Sequence, residues 1–248
     1  MPTVLITGAT KGIGLELATQ YAAAGWTVYA THRGGGFDAL ATLGSDLDNV
    51  LLAELDVDDL DAIDRLAEQL SGVAIDVLIN NAGRMGDGND PSAQTGEMFG
   101  TLRYSLFDEY LRTNARGPIK MLEAFLPHVR SSSYKKMVTI SSGAGSFGMP
   151  PGPPGLLWYK ASKAAVNMLM VNAAKALQRD EITVLTFHPG LVLTERLKPM
   201  REKLLKISGQ EKPFEVADAV RGIIQAIDSA TPADSGSFLG NQGQSLPF

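Results

Sequence analysis

A tyrosine and a lysine stand four positions apart at the start of an apolar, helix-forming segment. The stretch LLWYKASKAAVNMLM covers residues 156–170 and contains Tyr159 and Lys163. Because an α-helix turns once in about 3.6 residues, the two side chains project from the same face. The reference pKa of a tyrosine is about 10, and a cationic lysine beside it favours the phenolate. The pair therefore predicts general acid–base chemistry near neutral pH, although a core tyrosine beside a surface lysine would show the same spacing.

The composition excludes several other kinds of chemistry. The 248 residues include no cysteine, which excludes disulfides, thiolate catalysis and cysteine-bound metals. Because His32, His128 and His188 lack the spacing of metal ligands, we expect no metal site. The formal net charge of −5 argues against a nucleic-acid or membrane partner. With no secretory signal and no apolar run long enough for a bilayer, we expect a cytoplasmic protein.

Short apolar segments alternate with longer segments of helical period, and together they must position the pair. The strand-like segments are 3–7, 27–31, 50–56, 75–80, 136–141 and 182–187. The helical segments include 59–70, 104–129 and 159–178, with a bend or break expected at Pro118. Near-continuous apolar strands are typical of a parallel sheet covered on both faces. The alternation predicts an α/β fold, a doubly wound parallel sheet (Rossmann fold) with helices on both faces, forming a single domain over residues 1–248.

A glycine-rich turn, TGATKGIG at 7–14, follows the first strand and opens the first helix. Gly8, Gly12 and Gly14 permit a tight turn and allow a pyrophosphate to approach the backbone. The N-terminus of the helix would supply free N–H groups and a partial positive charge. A turn at the first strand–helix junction of a parallel sheet predicts a dinucleotide site, with a ligand-free glycine turn as the alternative.

The residues at the end of the second strand indicate which dinucleotide is bound. NAD sites of this type usually carry an acidic residue there, to hold the ribose 2′-hydroxyl. Here the segment ATHR (30–33) ends with Arg33, and Lys11 lies in the glycine turn. Arginine and lysine suit a 2′-phosphate, so NADP is predicted over NAD. Solvated surface charges remain the alternative for both residues.

Six short motifs occur in an order that is typical of one enzyme family. They are TGATKGIG, NNAG (80–83), NARG (114–117), ISS (140–142), YKASK (159–163) and HPGLVLT (188–194). On these motifs the chain resembles the short-chain dehydrogenase/reductases over nearly its whole length. Its last segment, GSFLGNQGQSLPF, resembles the tails of the C-factor and sniffer-like carbonyl reductase branch. The resemblance also implies a homodimer or homotetramer and a small carbonyl or alcohol substrate.

The family resemblance implies a catalytic tetrad of Asn114, Ser142, Tyr159 and Lys163. In it the tyrosine exchanges the proton, the lysine also binds the nicotinamide ribose, the serine hydrogen-bonds the substrate oxygen, and the asparagine holds a water in a proton path. Ser142 lies seventeen residues before Tyr159, which is longer than in most members. This spacing leaves Ser146 as a rival; Ser142 is preferred because it directly follows an apolar strand.

The glycine turn and the resemblance together give the expected cofactor contacts. Two of these residues follow the third strand and would meet the adenine, and four follow the strand before HPGLVLT and would meet the nicotinamide. The full set is Gly8, Thr10, Lys11, Gly12, Ile13, Gly14, Arg33, Asp56, Val57, Asn81, Ala82, Gly83, Tyr159, Lys163, Pro189, Gly190, Val192 and Thr194. The loops at 83–100 and 143–155 are expected to border the ligand crevice. The segment 195–214 is expected to close over the substrate or to form a solvated helix.

These observations predict an NAD(P)-dependent oxidoreductase, specifically an NADPH-dependent carbonyl reductase or alcohol dehydrogenase. A dinucleotide-binding regulatory or signalling protein with little turnover is the alternative, against which the complete tetrad argues. A sugar-nucleotide epimerase or dehydratase is disfavoured, because the short C-terminal portion leaves little room for a substrate domain.

Overall fold

The computed structural model describes residues 1–86, 96–150, 152, 154–195, 197–198 and 213–248. These residues form a seven-stranded sheet in which every neighbouring pair of strands is parallel. The strands are β1 (Thr3–Ile6), β2 (Thr27–His32), β3 (Val50–Glu54), β4 (Val77–Asn80), β5 (Lys136–Ile140), β6 (Thr183–His188) and β7 (Phe238–Gly240). The predicted α/β fold with a doubly wound parallel sheet is confirmed.

The order of the strands places a ligand crevice near the centre of the sheet. The order is β3-β2-β1-β4-β5-β6-β7, so the winding direction reverses between β1 and β4. Val4 pairs with Val28 on one side and with Val77 on the other. In open α/β sheets, ligands bind beyond the carboxyl ends of the strands at such a reversal. The glycine turn follows β1 at this point.

Helices cover both faces of the sheet. They are α1 (Gly12–Ala23), α2 (Asp38–Asp46), α3 (Leu60–Gln69), α4 (Tyr104–Leu111), α5 (Gly117–Ala124), α6 (Leu126–Arg130), α7 (Leu157–Ala176) and α8 (Val216–Ser229). Successive side chains of a strand point to opposite faces. Accordingly, Val4 and Ile6 pack with α1 and α8 in one core cluster, whereas Leu5 packs with α3, α5 and α7 in the other.

The predicted helix 104–129 is divided in the structure. Helix α4 runs into a π-helical turn at Arg112–Arg116, and α5 and α6 follow it. Pro118 is the second residue of α5, and the backbone before it is already helical, so its missing N–H removes one helical hydrogen bond to the preceding turn. The irregularity therefore precedes the proline. It carries the buried Asn114, and π-helical turns are frequently found at functional sites.

Three observed elements lie outside the predicted strands and helices, namely α2, α8 and β7. Helix α8 has the apolar stripe of a half-buried helix, with Val220, Ile223 and Ile227 fully buried on its inner side. Strand β7 has only three residues, too few for a periodic signal. None of the helices in the described part of the chain is long and apolar enough to span a membrane.

Candidate active site

The glycine turn after β1 is shaped by glycines at positions where a side chain would be strained or crowded. Gly8 and Gly12 have positive φ angles of 66° and 57°, a region that favours glycine. A Cβ atom at Gly14 would lie 2.3 Å from the Gly8 carbonyl oxygen, and one at Gly8 would lie 2.9 Å from Ala82 Cα. The turn therefore packs directly on the turn that follows β4.

Hydrogen bonds lock these two turns together. The Thr7 hydroxyl accepts the backbone N–H groups of Asn81 and Ala82, each at 3.0 Å. In return, Asn81 Nδ2 donates to the carbonyl oxygens of Thr7 and Gly8, each at 2.9 Å. Asn81 and Ala82 were expected to contact the cofactor; the structure shows that they also hold the glycine turn in place. Gly83, next in this motif, is exposed.

The N-terminus of α1 lies close to the segment after β6. The N-terminal N–H groups of α1, at Gly12, Ile13 and Gly14, precede the first helical hydrogen bonds. A helix terminus of this kind, on a glycine backbone, could hold an anion such as a phosphate. A Cβ atom at Gly12 would lie 3.2 Å from Thr194 Cγ2, so the glycine leaves only a narrow gap between the two segments. Thr10 is partly buried and Lys11 is exposed at the mouth of this gap.

Residues after β6 form the other wall of the gap. Gly190 adopts a positive φ of 77°, and Val192 is buried and pairs with Phe214 in a parallel bridge. Pro189 is partly exposed beside it. Of the predicted nicotinamide-side residues, Thr194 thus lies beside the glycine turn, and Gly190 and Val192 pack against Phe214. Much of the expected closing segment 195–214, and the loop residues 87–95, 151 and 153, lie outside the described residues.

Positive charge is present at the end of β2, where the adenine ribose would lie. The guanidinium of Arg33 is 3.9 Å from Asp56, and the two side chains are 66% and 41% exposed. An ion pair so open to water is weak and leaves the arginine able to bind another anion. Val57, by contrast, is buried in the core against Gly117.

Lys163 and Tyr159 lie on the same face of α7, at the inner end of the crevice. Lys163 Nζ is 5.9 Å from the centre of the Tyr159 ring. The ammonium group donates to the Ile140 carbonyl oxygen at 2.9 Å, and the residue is only 6% exposed. Burial lowers the pKa of Lys163 to about 8. The alternative of a surface lysine is therefore excluded.

The side chain of Asn114 connects the turn after β4 to α7. Its Oδ1 accepts the backbone N–H of Arg84 at 2.7 Å, and its Nδ2 donates to the Arg84 carbonyl oxygen and to Ser162 Oγ, each at 2.9 Å. Ser162 in turn donates to the Tyr159 carbonyl oxygen at 2.7 Å. With both amide hydrogens engaged, the second lone pair of Oδ1 remains for a water. Ser162 was not predicted, although it lies within the YKASK motif.

The two candidate serines have different environments. Ser142 is partly buried directly after β5, and its hydroxyl accepts the Ala144 N–H at 3.2 Å. This bond uses a lone pair, so the hydroxyl hydrogen can still be donated. Ser146 instead donates to the Pro247 carbonyl oxygen at 2.7 Å and accepts two backbone N–H groups. Its hydroxyl holds the following loop against the end of the chain.

Comparison with known proteins shows the family to which the chain belongs. Residues 2–205 match the family described as short chain dehydrogenase. The chain belongs to the short-chain dehydrogenase/reductase family. It is therefore an oxidoreductase of that family. One family member of similar sequence is 1-hydroxy-2-glutathionyl-2-methyl-3-butene dehydrogenase of Rhodococcus sp. (strain AD45), 31% identical over 250 residues and all of both chains.

Three further proteins bear on the branch of the short-chain dehydrogenase/reductases. C-signal of Myxococcus xanthus is 29% identical over 70% of this chain and 93% of its own. Among solved structures, NADPH-bound carbonyl reductase from chicken fatty liver matches with a TM-score of 0.84 and 27% identity, over 100% of this chain and 99% of that one. Carbonyl reductase Sniffer of D. melanogaster shares the fold, with a TM-score of 0.83 and 24% identity over 100% of each chain. The expected resemblance to the C-factor and sniffer-like proteins is confirmed.

Proposed function

We propose that this short-chain dehydrogenase/reductase is an NADPH-dependent carbonyl reductase that acts on a small-molecule carbonyl compound and, in reverse, on the matching alcohol. One observation carries the proposal: the Lys163 ammonium is buried beneath Tyr159 at the inner end of the crevice. Burying an ammonium costs free energy, so its place beside a phenol calls for a chemical reason.

Tyr159 is the proposed acid in the reduction and the base in the oxidation. Its hydroxyl group donates a proton to the substrate oxygen as negative charge develops there. A positive charge nearby favours the phenolate that remains, so protonated Lys163 makes the proton transfer easier. Because burial brings the pKa of Lys163 to about 8, the lysine is mostly protonated at neutral pH and can also exchange a proton.

Ser142 and Asn114 complete the proposed tetrad. The free hydroxyl hydrogen of Ser142 would donate to the substrate oxygen and stabilise its developing charge. Ser146 is less suited to this role, because its hydroxyl already serves the loop after Ser142. Asn114 positions α7 through Ser162 and offers one lone pair to a water in a proton path.

The glycine turn, the Asn81 turn and Thr194 would hold the cofactor, and bound NADPH would supply the hydride. Lys11 and Arg33 would bind its 2′-phosphate, since both are exposed at the adenosine side of the crevice. The chicken carbonyl reductase of similar sequence and fold is described as NADPH-bound, which favours the same preference here.

The test is a panel of carbonyl compounds assayed with NADPH and with NADH, for the wild type and for Tyr159→Phe. We expect a higher kcat/KM with NADPH, and a loss of turnover of about a hundredfold or more in the variant, because general acid catalysis contributes about 10²–10⁴. NADPH binding, measured by fluorescence, should be retained. Equal kcat/KM with both cofactors would contradict the role of Lys11 and Arg33. Undiminished turnover by Tyr159→Phe would refute the mechanism, and no turnover by the wild type would favour the regulatory alternative.

A further inference from the structure

A buried carboxyl group, which no catalytic motif includes, lies at the first turn of α7. Glu97 is 1% exposed, and the sequence separates it from the helix by about sixty residues. Its Oε2 accepts the backbone N–H of Tyr159 at 3.3 Å, and its own carbonyl oxygen accepts the N–H of Leu157 at 3.2 Å. Glu97 therefore contacts the turn that carries the proposed catalytic tyrosine.

Helix α7 lacks a cap from its own neighbourhood. The residue before it, Leu156, adopts a left-handed conformation with φ of 55°, and it makes no side-chain capping bond. The first four N–H groups of a helix need partners from outside the helix. Glu97 supplies two of them, and a carboxyl group is favourable beside the partial positive charge of a helix N-terminus. The start of α7 is thus fixed by a remote residue.

A second tyrosine joins Glu97 to the ring of Tyr159. The Tyr110 hydroxyl donates to Glu97 Oε1 at 2.6 Å, and its ring meets the Tyr159 ring edge-on with centroids 6.3 Å apart. Burial, and then this hydrogen bond, raise the pKa of Tyr110 above its usual value. Tyr110 therefore stays a hydrogen-bond donor, and it holds the carboxyl group from the side of α4.

We propose that Glu97 is a positioning residue: it fixes the first turn of α7 and so sets the direction in which the Tyr159 phenol meets the substrate. The inference rests on the proposed function, because it assigns Glu97 a part in that reaction. Lys163 lies one turn further along and is held separately by the Ile140 carbonyl oxygen. Removing Glu97 should therefore disturb Tyr159 more than it disturbs Lys163.

Among the described residues, the hydrogen bonds of the glycine turn run to the turn after β4 and to Thr31, and none runs to Glu97. The cofactor site should therefore survive the loss of Glu97. Loss of Glu97 should therefore lower kcat without weakening NADPH binding. A general loss of stability would affect both.

The experiment compares Glu97→Ala with two milder variants and one matched control. Glu97→Gln keeps an acceptor for the Tyr159 N–H, and Tyr110→Phe keeps the ring contact but removes the hydroxyl. The control is Asp76→Ala. Asp76 is also buried and accepts backbone N–H groups of Thr3, Ser133 and Tyr134, but at the amino ends of the strands.

We expect Glu97→Ala to lower kcat by about tenfold to a hundredfold, since a displacement of about 1 Å can cost that much. Hydrogen exchange of the peptide at 156–170 should become faster, while the Kd for NADPH stays within about threefold of wild type. Glu97→Gln should recover most of the kcat. Asp76→Ala should lower Tm and leave kcat per folded molecule unchanged. Should Glu97→Ala not fold, Tyr110→Phe decides the matter. We expect its kcat to fall below that of wild type by up to about tenfold and its exchange at 156–170 to become faster, and wild-type values of both would overturn the proposal.

Wild-type kcat and wild-type exchange in Glu97→Ala would overturn the proposal, as would an equal fall of kcat in Asp76→Ala. The exchange measurement does not depend on turnover. If Tyr159→Phe kept full activity, the proposed function would fail, whereas faster exchange in Glu97→Ala would still show that Glu97 fixes α7.

Discussion

Exchanging the buried Lys163 for methionine should make the protein more stable at neutral pH while abolishing its activity. Methionine has a similar length and no charge, so it fits the site without the cost of burying an ammonium. The one hydrogen bond lost is that to the Ile140 carbonyl oxygen. Catalytic groups held in unfavourable surroundings commonly show this opposition between stability and activity.

The size of the effect follows from the pKa of Lys163. Its fall from the usual 10.5 to about 8 means that the protonated side chain destabilises the folded state by roughly 3 kcal/mol at pH 7. The lost hydrogen bond offsets about 1 kcal/mol of the gain. The variant should therefore be about 2 kcal/mol more stable at pH 7, which raises Tm by about 5 °C for a chain of this size.

The sign of the pH dependence is fixed by the same two pKa values. Below pH 8 the lysine is protonated in both the folded and the unfolded chain, so the full cost applies. Between about pH 8 and 10.5 the unfolded chain binds more protons than the folded one, so wild-type stability rises with pH relative to the variant. The advantage of Lys163→Met should disappear by about pH 10.

The assay is urea unfolding of the cofactor-free wild type and variant, at intervals from pH 7 to 10. Subtracting the free energies of unfolding of the two proteins at each pH cancels the contributions of the other titrating groups. Lys175→Met is the control, since Lys175 is exposed in the last turn of the same helix. Its free energy of unfolding relative to wild type should not change with pH. A Lys163→Met protein whose stability relative to wild type does not change with pH would refute the burial of a charged lysine.

Two further substitutions test the packing around the site. A Cβ atom at Gly145 would lie 2.5 Å from Lys163 C, so Gly145→Ala should displace α7 and lower kcat by about a hundredfold in steady-state assays. Gly44→Ala, which meets only a side chain at 3.3 Å, is its control, and equal kcat for the two would contradict the argument. The Phe248 ring stacks on the Phe238 ring with centroids 5.3 Å apart, and this places the Phe248 backbone oxygen to accept the Gly148 N–H at 2.9 Å. Phe248→Ala removes the stacking, so it should loosen this loop and raise the KM for the proposed carbonyl substrate by about fivefold with kcat little changed. An unchanged KM would show that this contact does not shape the substrate site.

The sequence was sufficient for six of the seven strands of the sheet and for the local parts of the site. Apolar runs separated by helical periods define a parallel sheet, because each element must bury one face or both. The glycine turn and the spacing of Tyr159 and Lys163 are equally local, because residues about four positions apart on a helix lie on the same face. The order of the motifs added the family, which the comparisons confirm.

Other features depend on residues that meet only after folding. Nothing in the periodicity of 104–129 marks the π-helical turn that carries Asn114, and the proline signal lies just after it. The hydroxyl of Ser146 is engaged because the end of the chain returns to it, a hundred residues later. No local pattern encodes such a contact.

The chain itself thus determined which groups could do chemistry, since spacing along a helix or after a strand translates directly into direction. Only the tertiary structure decided how those groups are tuned. Lys163 has a lowered pKa because the packed sheet and helices bury it away from water, and Tyr159 lies in the first turn of a helix capped by Glu97 from another segment. Burial and remote contacts arise from packing over the whole chain, and packing has no signature in a short stretch of sequence.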